Sequence, residues 1–270
     1  MPEPEFDMLG IGNAIVDVIA RTEEDFLVRE NLIKGSMRLI DTEEAERLYA
    51  LMGAAIEASG GCAGNTAAGV GSFGGRAAFI GQVADDQLGA IYRHDMHALG
   101  IHFETLPLRE SDPTARSMIL ITPDGERTMN TYLGACHQLT EADIREDEIG
   151  AATITYMEGF LWDPVEAKKA FVRAANYAHR HERASAFTLS DPFCVNRYRE
   201  EFLPTAKPCL RVAHGQVDHR HRALSAGTAH QRAATTNDAH GLIEVEHARQ
   251  MRRCDLAHAM PDKGVRFDTK

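Results

Sequence analysis

Apolar positions over the first two hundred residues come in short runs of strand length, divided by stretches in which they recur at helical spacing. Phe6–Ile11 reads as a strand and residues 15–19 as a second, parted by a Gly12-Asn13 turn. Residues 42–58 read as one helix, with Thr42 as N-cap and Glu44 and Glu46 near its positive end. Residues 64–73 are rich in glycine and alanine, as suits a helix whose backbone lies close to a sheet. Ala77–Ile80 is a buried strand, and residues 87–99 form a helix that Gly100 ends with a left-handed cap. Residues 117–122 and 127–132 flank Asp124-Gly125 as a β-hairpin. After a strand at 153–157, Asp163, Pro164 and Glu166 predict a helix start with a capping box. A strand at 186–189 and an Asp191-Pro192 turn follow.

This alternation, from about residue 60 to about 200, predicts an α/β fold, a doubly wound parallel sheet with helices on both faces. Strands near 11–20, 38–40 and 115–133 stand outside it and predict a small β lid over one edge. The α/β domain is expected to span residues 1–204. Beyond it the pattern stops. Over 205–270, Leu, Ile, Val and Phe make up ten of 66 positions, seven of the 13 histidines occur, and the net charge is +4 against −15 for the rest. That apolar share lies below the ~20% at which burial ceases to offset chain entropy. The tail is expected to be irregular, and the C-terminal part of the fold to be missing.

Charge and cysteine content narrow the function classes. A net charge of −11 argues against a nucleic-acid partner, which needs a basic face. Five widely spaced cysteines with no Cys-x-x-Cys pair argue against a disulfide framework or a zinc site. His219 and His221 have no carboxylate or cysteine at ligand spacing, so no metal is expected there. The acidic start lacks the apolar core of a signal peptide, and no apolar run reaches membrane length. The expected compartment is the cytoplasm, with no membrane partner.

Three clusters could carry chemistry. In Gly10-Ile11-Gly12-Asn13-Ala14-Ile15-Val16-Asp17, a strand broken at glycine lets Asn13 and Asp17 point polar groups into a cleft. A tight turn with locally satisfied side chains explains the same residues. In Ser59-Gly60-Gly61-Cys62-Ala63-Gly64-Asn65, glycines allow a ligand close to the main chain at a helix start; a plain turn is the alternative. Around Gly81 to Gly89, Asp85 and Asp86 precede a helix and read as caps.

In this order the three clusters resemble the N-terminal signature of the ribokinase-like (phosphofructokinase-B-type) carbohydrate and nucleoside kinases, and Asn13-Ala14 before Asp17 is similar to the adenosine kinase branch. The hairpin from Thr122 to Ala135, Glu158-Gly-Phe-Leu-Trp162 and Leu189-Ser-Asp-Pro-Phe193 extend the resemblance over roughly residues 5–203. It implies ATP and Mg²⁺ as cofactors and transfer to a hydroxyl of an adenosine-like nucleoside or a sugar. It also implies that Asp17 binds ribose hydroxyls and that Asn13, Gly60, Gly61 and Asn65 line the pocket. Arg127 would then lie near the incoming phosphoryl group, Phe160 would stack on a base, and the lid strands would be able to join two copies as a homodimer. Arg127 also fits a cross-strand ion pair, and Phe160 a core position. The family's C-terminal Asp-Thr-x-Gly-Ala-Gly-Asp, which supplies anion hole and base, and the Asn-x-x-Glu before it occur nowhere in 204–270. Catalytic base, ATP site and metal ligands are therefore not found in this chain. Two other readings follow: a non-catalytic nucleoside- or sugar-binding protein, or an inactive kinase fragment whose reading frame slipped near residue 204.

Overall fold

A computed structural model describes residues 3–190 and 192–209, all within one compact unit. Four parallel strands form its central sheet: β1 (Phe6–Ile11), β5 (Ala77–Ile80), β8 (Ala152–Glu158) and β9 (Ala184–Thr188), in the order β5-β1-β8-β9. Helices cover both faces. On one side α5 (Glu146–Ala151) and α6 (Val165–Arg180) bury Leu9, Ile11, Met157, Trp162 and Phe171 in one apolar cluster. On the other, α3 (Cys62–Ser72) and α4 (Gln87–Ala98) enclose Met8, Ala63, Ala67, Phe79, Tyr92 and Phe103. The small residues of α3 permit this approach, since a methyl group at Gly64 would lie 2.6 Å from Tyr92 Oη.

A second sheet forms the lid. It holds β2 (Ile15–Arg21), β3 (Met37–Leu39), β4 (Ala55–Gly60), β6 (Ala115–Ile121) and β7 (Arg127–Tyr132), in the order β3-β7-β6-β2-β4. One face packs on α1 (Glu24–Arg29), α2 (Thr42–Leu51) and α4 through Val16, Val18, Met118 and Leu120. The other carries Met37, Leu39 and Ile56 at 48%, 53% and 59% exposure. The hairpin closes as expected, with Gly125 at φ +86 and its N–H bonded to Thr122 O.

The structure corrects several boundaries. Residues 42–58 are not one helix: α2 stops at Leu51, Met52 turns extended, and Ala55–Gly60 becomes an edge strand on β2. The N-cap is Asp41, whose carboxylate accepts from Glu44 N at 2.9 Å, and Thr42 is the first helical residue. Asp163 does not cap α6. The 3₁₀ turn Gly159–Trp162 continues into it in helical conformation, and its carboxylate binds Tyr198 Oη and Arg197 instead. The helix α7 (Pro192–Cys209), kinked at Tyr198, follows β9. The expected irregular tail, with His219 and His221, lies from residue 210 outside the described residues. Among those described, no helix is long and apolar enough to cross a membrane.

Candidate functional site

The first two clusters meet where the chain passes between the sheets. β1 ends at Ile11, residues 12–14 lead into β2, and β4 ends at Gly60 beside them. Gly61 then turns the chain into α3 with φ +83, and a methyl group there would sit 2.1 Å from Asn13 O. Only glycine fits both demands.

Asp17 belongs to a row of paired residues across the whole lid, Ala58, Asp17, Ser117, Thr131 and Leu39, on the face turned away from α2. Paired positions share a face, and the Ser117 and Thr131 hydroxyls hydrogen-bond at 2.8 Å. The Asp17 carboxylate lies over Gly60: a Cβ added there would meet its Cγ at 2.5 Å and both oxygens at 2.6 Å. The glycine therefore leaves the room that this acidic group occupies.

Asn13 is turned into the interior rather than into a cleft. It is 1% exposed, its Nδ2 donates to Glu158 Oε1 at 3.0 Å, and its Oδ1 lies 3.0 Å from the Cys136 thiol. Glu158, also 1% exposed, ends β8 and accepts from Ala63 N at 2.9 Å in the first turn of α3. Burial pushes its carboxyl above the usual range, against the opposing pull of these hydrogen bonds. Gly12 leaves it room, since a methyl group there would be 2.2 Å from Glu158 Oε2. Sequence reasoning missed Glu158 and Cys136 as parts of this site. For Glu158 the signal was its place at the carboxyl end of a parallel strand, where α/β sheets hold ligands.

Of the other expected residues, Asn65 stands exposed in the first turn of α3, its backbone N–H bonded to Gly61 O. Phe160 is half-buried in the turn just after Glu158. Arg127 shares Asp17's face but pairs with Ile121, in line with Arg21, four positions from the Asp17 row. At strand spacing that is about 13 Å along the sheet, so the structure does not bring Arg127 to the cluster. Asp86 caps α4 through Gly89 N and also binds Thr114, which accounts for the third cluster locally. Among the described residues no three His, Cys, Asp or Glu side chains converge to hold a metal ion.

Known proteins share this arrangement. The chain matches the structure of an adenosine kinase from Sinorhizobium meliloti at 57% identity and a TM-score of 0.70, over 76% of this chain and 63% of that one. It matches a probable sugar kinase from Rhizobium etli CFN 42 at 54% identity and a TM-score of 0.71, over 76% and 62%. Fructokinase-2 of Solanum lycopersicum is 27% identical over 139 residues, 51% of this chain and 42% of its own length. The chain thus spans under half of that curated relative. The family described as pfkB family carbohydrate kinase matches residues 29–213. With that match covering most of the chain, and the doubly wound sheet and lid in place, the chain belongs to the pfkB family of carbohydrate kinases.

Proposed function

We propose that this chain forms the acceptor side of an ATP-dependent phosphotransferase and binds the hydroxyls of an adenosine-like nucleoside or a related sugar. The observation that carries the reading is the Asp17 carboxylate over Gly60, beside the left-handed Gly61. A carboxylate accepts hydrogen bonds from two adjacent hydroxyls, and glycine at 60 leaves the space in which the Asp17 carboxylate sits. In this reading Asn65, exposed in the first turn of α3, bonds a hydroxyl, and Phe160, half-buried in the turn after Glu158, stacks on a base. Titration calorimetry with adenosine tests this. Asp17→Ala is expected to weaken binding by about ten- to hundredfold, since a lost hydrogen bond to a charged acceptor costs about 1.5–3 kcal/mol. Unchanged affinity would remove Asp17 from the site.

Phosphoryl transfer by this chain is proposed to be absent or weak, because residues 204–270 contain neither the glycine anion turn nor the aspartate base of the family. Loss of a general base alone slows such reactions by about 10²–10⁴-fold. This favours a second reading, ligand binding without turnover. The two part in a coupled assay with ATP and adenosine, where robust product formation would refute the second.

A further inference from the structure

Glu158 is a carboxylate at 1% exposure, and burial raises its titration. Charges so buried are costly unless donors converge on them. Here the donors are Asn13 Nδ2 and the Ala63 N–H, and both belong to the segments beside Gly60 and Asp17. Each oxygen holds a different segment: Oε1 the Asn13 amide after β1, and Oε2 the first turn of α3 after Gly61. Cys136 completes the arrangement from the turn after β7, its Sγ 3.0 Å from Asn13 Oδ1 and 2.7 Å from Leu133 O. The thiol has one hydrogen for these two oxygens; directed at Asn13 Oδ1, it and the Glu158 acceptor together fix the orientation of the Asn13 amide.

From this geometry we propose that Glu158 is a positioning residue: buried beneath the two loops, it clamps them in the register that lets a ligand reach Asp17, with Cys136 fixing the amide it holds. The inference rests on the acceptor-site reading above. Glu158 touches no ligand itself. A carboxylate can serve both loops because both its oxygens accept, whereas a glutamine has one acceptor and turns its NH₂ toward the other donor.

A positioning role separates affinity from stability. Because the Glu158 carboxyl titrates above its unfolded value, its favourable contribution to folding is complete below about pH 4.3 and is lost as pH rises through its folded value. Near neutral pH, Glu158→Gln is therefore expected to melt at or above the wild-type temperature while binding adenosine at least tenfold more weakly. Cys136→Ser, which keeps a donor, should retain affinity, and Cys136→Ala should lose several-fold.

The experiment is adenosine calorimetry and thermal melting on the full chain and these three variants, with amide exchange at Ala63 in the free proteins. Affinity within twofold of wild type in both Glu158→Gln and Cys136→Ala would overturn the proposal. So would melting temperature falling in step with affinity. Should Glu158→Gln not fold, the serine and alanine variants at Cys136 decide by the same criterion. If the wild type binds no adenosine, the acceptor-site reading fails on its own. The clamp is then judged by Ala63: protection present in wild type and lost in Glu158→Gln supports it, and equal exchange overturns it.

Discussion

At Gly60 the missing side chain leaves the space that the Asp17 carboxylate fills. An alanine there would be tolerated by the backbone, which is not left-handed, but its methyl group would occupy the space of the Asp17 carboxylate. Gly60→Ala is thus expected to fold with a melting temperature close to wild type and to lose adenosine affinity about as far as Asp17→Ala does, roughly ten- to hundredfold. Gly61→Ala should behave differently, because φ +83 and the 2.1 Å approach to Asn13 O strain the chain itself. Melting and calorimetry on the pair separate the two, and equal destabilisation would contradict this assignment. Asp17 and the glycines were legible because a motif order carries them. The inward turn of Asn13 was not, since an amide's direction depends on Glu158, 145 residues away. Glu158 itself reads in sequence like any polar residue at the end of a strand.

Among the elements, β4 shows where local pattern fails. Apolar residues at 45, 48 and 52 keep helical spacing, and the alanines at 54, 55 and 58 extend it plausibly to 58. Pairing with the edge of β2 overrides that preference, and tertiary context decides. The helix that does form is braced at its start by Glu44, which binds Arg47 and, across to β3, Arg38. Arg47 first and Arg38 second hold the Glu44 carboxyl down at about 2. A depressed carboxyl stabilises the fold above its unfolded value near pH 4.3, and that contribution fades as pH falls towards 2. Glu44→Gln should therefore lower stability near pH 7, by about 1 kcal/mol or less for so exposed a pair. The gap to wild type should close near pH 2. Denaturation curves at both pH values check this, and a gap independent of pH would show that the ion pairs contribute nothing.

Across the whole molecule, the parallel sheet and the separate lid were legible from the alternation of strands and helices. Strand order was not, because β1 takes its neighbours from residues about 70 and 145 positions away. The lid's outer face has a consequence for assembly. Met37, Leu39 and Ile56 are exposed there, with Ile19, Ile121 and Met129 half-buried on the same face. Contiguous apolar surface of this kind marks association sites. We therefore propose that two copies meet through the lids. Light scattering at ~50 μM protein should report a dimer, and Leu39→Lys with Ile56→Lys a monomer, as expected when charges replace apolar residues on both edge strands of the buried face. A wild-type monomer would refute it.

Among the described residues the chain passes between the two sheets four times, at residues 12–14, at Gly61, ahead of Ala115 and after Tyr132. The first two passages are also the loops beside Asp17 and Gly60. Any swing of the lid must therefore be taken up partly as torsion in the residues proposed to hold the ligand, so that the proposed pocket is also a pivot. A change that stiffens this pivot should slow entry and escape together, and variants along these loops should change exchange rate more than affinity.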